Sequence, residues 1–424
     1  LYLVEALMRY LIWIVGLVLT LGGLFAWAEN ELAEPTDRAV FRTQPAAQQR
    51  LGGPKGPFSQ TDMSDTKGWY GSEAATSAQV LRRNVFADLV LEDTLVYCLQ
   101  GFLCGDSCAS LMILNIVDPS DPQFVSRLRF HGGAERGYAI EVRGNHAYLT
   151  VAAPDYQSLL YIVDIADPAY PTIAGSRYLD GYADGLCASD SLLYATCGFS
   201  SPGDDLNAVR IMIVSDPADI IMVDSVATEY GLEAIQVRGA FAYAVGGYDL
   251  YSIDIAEPAL ASVVSRLTTG YLPCAIDVGE ADSLLYVADY DTWWPAYESA
   301  LTVVNVADPE QPVILSQFYL TGVVYDVEVQ GHWAYVSHGS CGLQVFDITD
   351  PAAPDSVARY EVPMFAGQLA VDDTILVLAD ISTAAVDAEG ISCYPPTPGP
   401  DDPQEGDLLI LSIADPAHPR LLGF

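Results

Sequence analysis

Lysine is almost absent from this chain. Only Lys55 and Lys67 occur in 424 residues, and arginine brings the basic total to 18 against 56 acidic residues. The formal net charge is −38. Nucleic-acid binding is excluded on this composition, because neutralising phosphates takes clustered Lys and Arg. Docking on anionic lipid is disfavoured for the same reason. Three readings of the acidic surplus stay open: a well-solvated, non-adhesive surface, adaptation to high salt, and weak calcium binding by extracellular acidic loops.

Signatures of catalysis are also missing. The five histidines are His131, His146, His332, His338 and His418, and none belongs to an HExxH or His-x-His pattern. There is no GxSxG nucleophile elbow, no P-loop, and no GxGxxG following a strand. With 56 carboxylates in the chain, proximity of two acids says little by itself. No stretch between strand-like runs carries helical periodicity, which argues against βαβ units. Beyond the first 28 residues no apolar run is long enough to span a bilayer, for which about 20 residues are needed.

The N-terminal segment reads as a targeting signal. Arg9 precedes an apolar run from Leu11 to Phe25, and Ala26-Trp27-Ala28 has the small-x-small form of a cleavage site. Residues 1–28 are expected to be a signal peptide, with Met8 offering a start; a retained membrane anchor is the rival. Residues 29–78, rich in Pro, Gly, Gln, Ser and Thr, read as a flexible linker. Residues 79–424 form the globular part. The expected location is secreted, periplasmic or at the cell surface.

Export permits disulfides among the eight cysteines, Cys98, Cys104, Cys108, Cys187, Cys197, Cys274, Cys341 and Cys393. Cys104 and Cys108 are spaced to close a small loop, Cys393 to staple an insertion, and Cys274 to sit in a strand as a buried free thiol. Their spacing does not match a zinc site, and it does not settle their connectivity.

What the chain does have is a repeat. An apolar strand followed by an acid and a proline occurs seven times, at Asp118-Pro119, Asp167-Pro168, Asp216-Pro217, Glu257-Pro258, Asp308-Pro309, Asp350-Pro351 and Asp415-Pro416. The steps between acids are 49, 49, 41, 51, 42 and 65 residues, a period that marks a repeat architecture. The second copy shows the unit. Tyr138–Arg143 alternates as a strand, Gly144-Asn145 turns, His146–Val151 returns, and Leu159–Ile165 and Thr172–Leu179 supply two more. Four short antiparallel strands per unit make one propeller blade. The fold class is therefore all-β: a seven-bladed β-propeller of four-stranded antiparallel blades.

Asp at the first position and Pro at the second suit a type I turn. Three residues before the acid stand Asn115, Asp164, Asp254, Asn305, Asp347 and Ser412, side chains able to bond nearby backbone N–H groups and end the strand. The third copy breaks this rule with Ile213. Counting back from the second strands, with hairpins of two lengths that differ by two residues, places Asp88, Glu141, Gly185, Gln236, Asp277, Glu328 and Gln368 in one ring on the first strands, which line the channel of a propeller. Asp88, Glu141, Asp277 and Glu328 are the candidates for an axial metal; the alternative is that the ring bonds backbone and channel water. Tyr97, Tyr148, Tyr194, Tyr243, Tyr286 and Tyr335, with Val377, hold one place on the second strands and are expected between blades.

Two insertions stand out. Trp293, Trp294 and Tyr297 in Asp289–Glu298 are candidates for stacking on a sugar or gripping a peptide. Asp380–Asp407 is a proline-rich acidic loop. Asp204-Asp205 and Asp401-Asp402 are candidate calcium contacts without the spacing of a dedicated site.

The segments LLYIVDIADPAYP, DLYSIDIAEP, LTVVNVADPEQP, GLQVFDITDPAAP and DLLILSIADPAHP resemble LVIVD repeats, over about residues 79 to 424. That resemblance implies a β-propeller, often exported or surface-associated, and brings no catalytic residues with it. The expected function is a non-catalytic, exported scaffold for a protein or glycan partner, monomeric, with no cofactor beyond a candidate Ca²⁺. A hydrolase or lyase working in the central channel is the alternative.

Overall fold

The computed structural model describes residues 86–100, 109–130, 136–198, 206–279, 283–290, 298–339, 341–362, 366–380 and 408–424. The signal segment, the linker, Cys104, Cys108, Cys393, Asp204-Asp205, Asp401-Asp402, Trp293, Trp294 and Tyr297 lie outside the described residues.

The described residues form seven sheets of four antiparallel strands, and in every sheet the strands follow one another in chain order. Blade two runs through Gly137–Arg143, His146–Ala153, Gln157–Asp164 and Thr172–Asp180, the four segments expected from its alternation. The innermost strands of the seven blades are Phe86–Glu92, Gly137–Arg143, Leu186–Ser189, Ala234–Arg238, Leu272–Val278, Asp326–Gln330 and Ala366–Asp372. Each touches the next, and the last touches the first, so the ring closes. Among the described residues no strand is exchanged between the ends of the chain. Closure rests on side chains: Phe86, Leu89, Val96, Met112 and Leu114 of blade one pack on Ala370, Val377, Ala379 and Ile410 of blade seven.

The same logic holds at every boundary, because the second-strand tyrosines are the inter-blade pegs. Tyr97, Tyr148, Tyr194, Tyr243, Tyr286 and Tyr335 are each between 1% and 6% exposed. Each packs with apolar residues of the following blade, as Tyr97 does beside Ile140 and Val142, and Tyr194 beside Ile235 and Ile253. Val377 takes the place in blade seven. Seven such clusters, rather than one central core, hold the ring together.

The acid-proline step is a turn in all seven blades: the carbonyl of the acid accepts the N–H three residues on, from Asp118–Asp121 through Asp415–His418. The polar residue before it caps the strand as expected. Asn115, Asp164, Asp254, Asn305 and Asp347 each accept the N–H two residues on at 2.8–2.9 Å.

The turn has a second task that spans blades. Every fourth strand carries a β-bulge opposite the end of the third, and just after it stand Ser126, Gly175, Asp224, Ser265, Ser316, Ala358 and Gly423. Ser126, Ser265 and Ser316 donate to the proline carbonyl of the next blade, Pro168, Pro309 and Pro351, at 2.6, 2.6 and 2.8 Å. At Gly175 a Cβ would lie 1.7 Å from the Pro217 oxygen, and at Gly423 2.2 Å from that of Pro119. The outer strands thus lean on their neighbours' turns through small residues, with the bulge supplying the local twist.

Candidate functional site

Strand order fixes two faces. First strands begin at one face of the ring, where the second-to-third loops and the fourth-to-first links also lie. The tight hairpins and the acid-proline turns occupy the other. At the hairpin face the blades are latched in sequence. Arg143 donates to the Ala188 carbonyl at 2.8 Å, and Asp93 N–H to Asp372 Oδ2 at 3.0 Å.

Between the faces lies an axial cavity of about 180 Å³, lined by residues of all seven first strands, with room for several waters. Its carboxylates are Asp88, Glu141, Asp184, Glu233, Asp326 and Glu328. Asp277, whose two oxygens are both held by backbone N–H groups, is not among the lining residues.

The expectation of one ring needs correction. Strand pairing sets Glu141, Gln236, Asp277 and Glu328 opposite the second-strand tyrosines, but Tyr97 is opposite Val90, Tyr194 opposite Cys187 and Val377 opposite Ala370. Asp88, Gly185 and Gln368 therefore stand two residues nearer the open mouth, level with Asp326. The hairpins of blades one, three and seven are as tight as that of blade two, so counting across an assumed longer hairpin shifted those blades by two. A shift of two keeps the face and changes the level. At Gly185 no side chain fits, since a Cβ would lie 2.9 Å from the Ala234 Cα.

Three of the aspartates work as clasps. Asp88 accepts its own neighbour Leu89 N–H and, across the blade boundary, Ile140 N–H, both at 2.8 Å. Asp277 does the same with Val278 and Val329, each at 2.7 Å, and Asp326 with Val327 at 2.8 Å and Leu369 at 3.0 Å. Glu141 accepts Ala188 N–H at 3.3 Å. Enclosure dominates their titration. Desolvation lifts Asp88 to about 7, Glu141 to about 7, Asp277 to about 6 and Asp326 to about 8, against the opposing pull of the backbone donors. Glu328 is raised as well, by its enclosure first and then by the like charges of Asp277, Asp326, Asp88 and Glu141.

Several mouth residues escape strand counting. Asp184 and Glu233 immediately precede the regular pairing of their strands, and Tyr138 and Cys274 sit at register shifts. Irregular backbone at these points re-aims side chains into the channel against simple alternation. Desolvation raises Asp184 to about 6, while Arg136 pulls it down. Cys274 lies in a strand and is a free thiol, as expected, with its Sγ 3.3 Å from the Ala288 carbonyl. Cys98, Cys187 and Cys197 are also free thiols, and Cys341 is disulfide-bonded.

Tyrosines gather at the same face, on links, second-to-third loops and strand ends. Tyr182 lies 5.7 Å from Tyr138 and 6.5 Å from Tyr156; Tyr230 pairs edge-on with Tyr248 at 6.4 Å, and Tyr271 with Tyr319 at 6.1 Å. Arg136 stacks over Tyr138 at 5.3 Å, and Arg266 over Tyr230 at 5.6 Å. Tyr156 and Tyr319 are 68% and 59% exposed. Among the described residues no group of three or more His, Cys, Asp or Glu is placed to hold a metal ion. His338 is buried, and its pKa is lowered to about 4 by that burial and by the charge of Arg359.

Comparison with known proteins agrees with this architecture. The LVIVD repeat model matches residues 137–178 and 321–362, which are blades two and six. No curated relative matches the sequence. Among solved structures, a hypothetical selenium-binding protein from Sulfolobus tokodaii superposes with a TM-score of 0.59 at 10% identity, covering 82% of this chain and 92% of that one. Sqt1 of Saccharomyces cerevisiae gives 0.51 at 10% identity, covering 80% and 96%. The computationally designed protein Ika8 gives 0.51 at 11%, covering 80% and 96%. Likeness at such identity concerns the fold alone.

Proposed function

We propose that this LVIVD-repeat β-propeller is an exported, non-catalytic scaffold that binds a glycan or protein partner on its tyrosine-rich face. The observation that carries the reading is the set of paired tyrosines, from Tyr156 to Tyr319, on the face where the first strands begin. Rings held edge-on offer rigid apolar faces at low entropic cost, and their hydroxyls and the neighbouring carboxylates offer hydrogen bonds. Sugar C–H faces and apolar side chains both suit such a surface. Loops on a rigid scaffold are where recognition is usually placed.

Catalysis is less well supported. The clasp carboxylates Asp88, Asp277 and Asp326 spend their oxygens on backbone N–H groups. Export rests on the N-terminal pattern, and N-terminal sequencing of the mature protein tests it directly.

The binding test uses the mature protein on a glycan array and in affinity capture from its own envelope fraction. The triple variant Y182A/Y230A/Y271A serves as control. Saturable binding that the triple variant loses is the expected result. Binding that survives the substitutions would place recognition elsewhere and overturn the assignment of the face.

A further inference from the structure

The axial cavity carries charge that the protein itself leaves unanswered. Six carboxylates line it, and no lysine, arginine or histidine does. Arg136 acts on Asp184 and Glu233, and Arg143 on Glu141, from outside the lining. Glu328 differs from the clasp aspartates. Among the described residues no donor is hydrogen-bonded to it, and it lines the cavity beside the like charges of Asp326, Asp88 and Glu141. A buried carboxyl without a partner is costly unless something answers it.

The cavity's size and shape narrow the choice. A dehydrated metal ion needs several ligands converging at about 2.0–2.6 Å, and no described cluster provides them. A space of about 180 Å³ instead suits a group with its own hydrogen-bond donors that can share several carboxylates. Tyr138, already stacked under one guanidinium, lines the cavity at its mouth, and aromatic faces attract organic cations.

From these features we infer that the axial cavity is a site for an organic cation, an alkylammonium or guanidinium group, with Glu328 as its central anchor and Glu141 and Asp326 beside it. The group enters from the face where the first strands begin, at which Tyr138, Asp184 and Glu233 line the cavity. It arrives either as a free amine or as the lysine or arginine side chain of a bound protein. The inference stands apart from the partner on the outer face, since a free diamine needs no paired tyrosines.

Isothermal titration calorimetry at pH 8 tests it with 1,4-diaminobutane and ethylguanidinium as probes, and with uncharged 1,4-butanediol and Ca²⁺ as controls. The expected result is saturable binding of one cation per chain, no binding of the diol, and a loss of at least about tenfold in affinity in Glu328→Gln. Glu141→Gln provides a second variant should the first fail to fold, and Glu310→Gln, on an exposed acid-proline turn, should bind as the parent does. The tripeptides Gly-Lys-Gly and Gly-Arg-Gly separate the sources: tighter binding than the diamine points to a protein-borne side chain, weaker binding to a free amine. Absence of saturable binding, equal binding of the diol, or an affinity unchanged in both Glu variants would overturn the inference.

Discussion

The carboxylate of Asp277 in blade five accepts the backbone N–H of Val329 in blade six at 2.7 Å. Its other oxygen holds the N–H of Val278 in its own strand at 2.7 Å. One side chain thus fastens two innermost strands that share no ladder. Asp88 joins blades one and two in this manner, and Asp326 joins six and seven. In a propeller the innermost strands present unpaired backbone donors to the channel, and these clasps satisfy them where water would otherwise be needed.

Removing the clasp should cost more than neutralising it. Asp277→Ala leaves two backbone donors without their acceptor, a loss of about 2–3 kcal/mol. Asp277→Asn keeps one acceptor and removes a like charge that presses on Glu328, so its loss should be below about 1 kcal/mol. Urea unfolding measures the difference, and amide hydrogen exchange should show Val329 opening faster in the alanine variant. Equal losses for both variants would mean that the bond across the boundary contributes nothing.

The blade turns and caps were legible in sequence because they are local. Asn115 bonds Val117, and Asp118 bonds Asp121, within a few residues of chain. The tyrosine pegs were legible because the repeat places them once per blade. What stayed hidden lies between repeats. Nothing in the order of residues says that Ser126 meets Pro168, since the two are joined only by the ring. The level of Asp88 was misread because one assumed hairpin length shifts a strand by two without disturbing its alternation. Asp184 and Glu233 were missed for a different reason: irregular backbone at the strand entry breaks the alternation that strand reading depends on. Asp326 was recoverable, standing two residues before Glu328 on the same face.

The lean of outer strands on neighbouring turns predicts a sharp contrast between two glycines. At Gly175 an added methyl would lie 1.7 Å from the Pro217 oxygen, whereas at Gly144 it would meet nothing within 4 Å. Gly175→Ala should force strand and turn apart at about 3 kcal/mol, the upper range for overpacking. Gly144→Ala should cost only its left-handed backbone conformation, at φ 59°, about 1–2 kcal/mol. Shifts in the urea midpoint at constant slope would check both values. The reverse ranking would show that the turn can move aside.

A second contrast concerns blade four. Asp249 is fully buried, bonded by Thr268 at 2.7 Å and paired with Arg266 at 2.6 Å. Arg266 also reaches Glu229 and stacks between Tyr230 and Tyr251. Arg266→Met should be the costly change, about 2–3 kcal/mol, because it strands a buried carboxylate; adding Asp249→Asn should restore most of that loss. A double-mutant cycle measures the coupling, and strict additivity would refute the pairing as the source.

The pH dependence of stability follows from the axial carboxyls. Folding raises Asp88 and Asp326 from 3.8 to about 7 and about 8, and Glu141 from 4.5 to about 7. Between the unfolded and folded values the native state binds more protons than the unfolded chain. Their contribution is therefore fully present below about pH 4 and is lost as pH rises through about 6 to 8. Asp118 and Asp347, on exposed turns, behave oppositely: hydrogen bonds from Ser120 and Thr349 lower them, so their stabilisation is lost only as pH falls below the ordinary aspartate range. The melting temperature should then peak near pH 4–5 and fall steadily to pH 8. Asp326→Asn should flatten the upper part of that fall, since folding raises Asp326 to about 8. A profile that rises from pH 5 to pH 8 would mean that the axial carboxyls are stabilised as anions in the folded protein, the opposite of what their enclosure and mutual repulsion require.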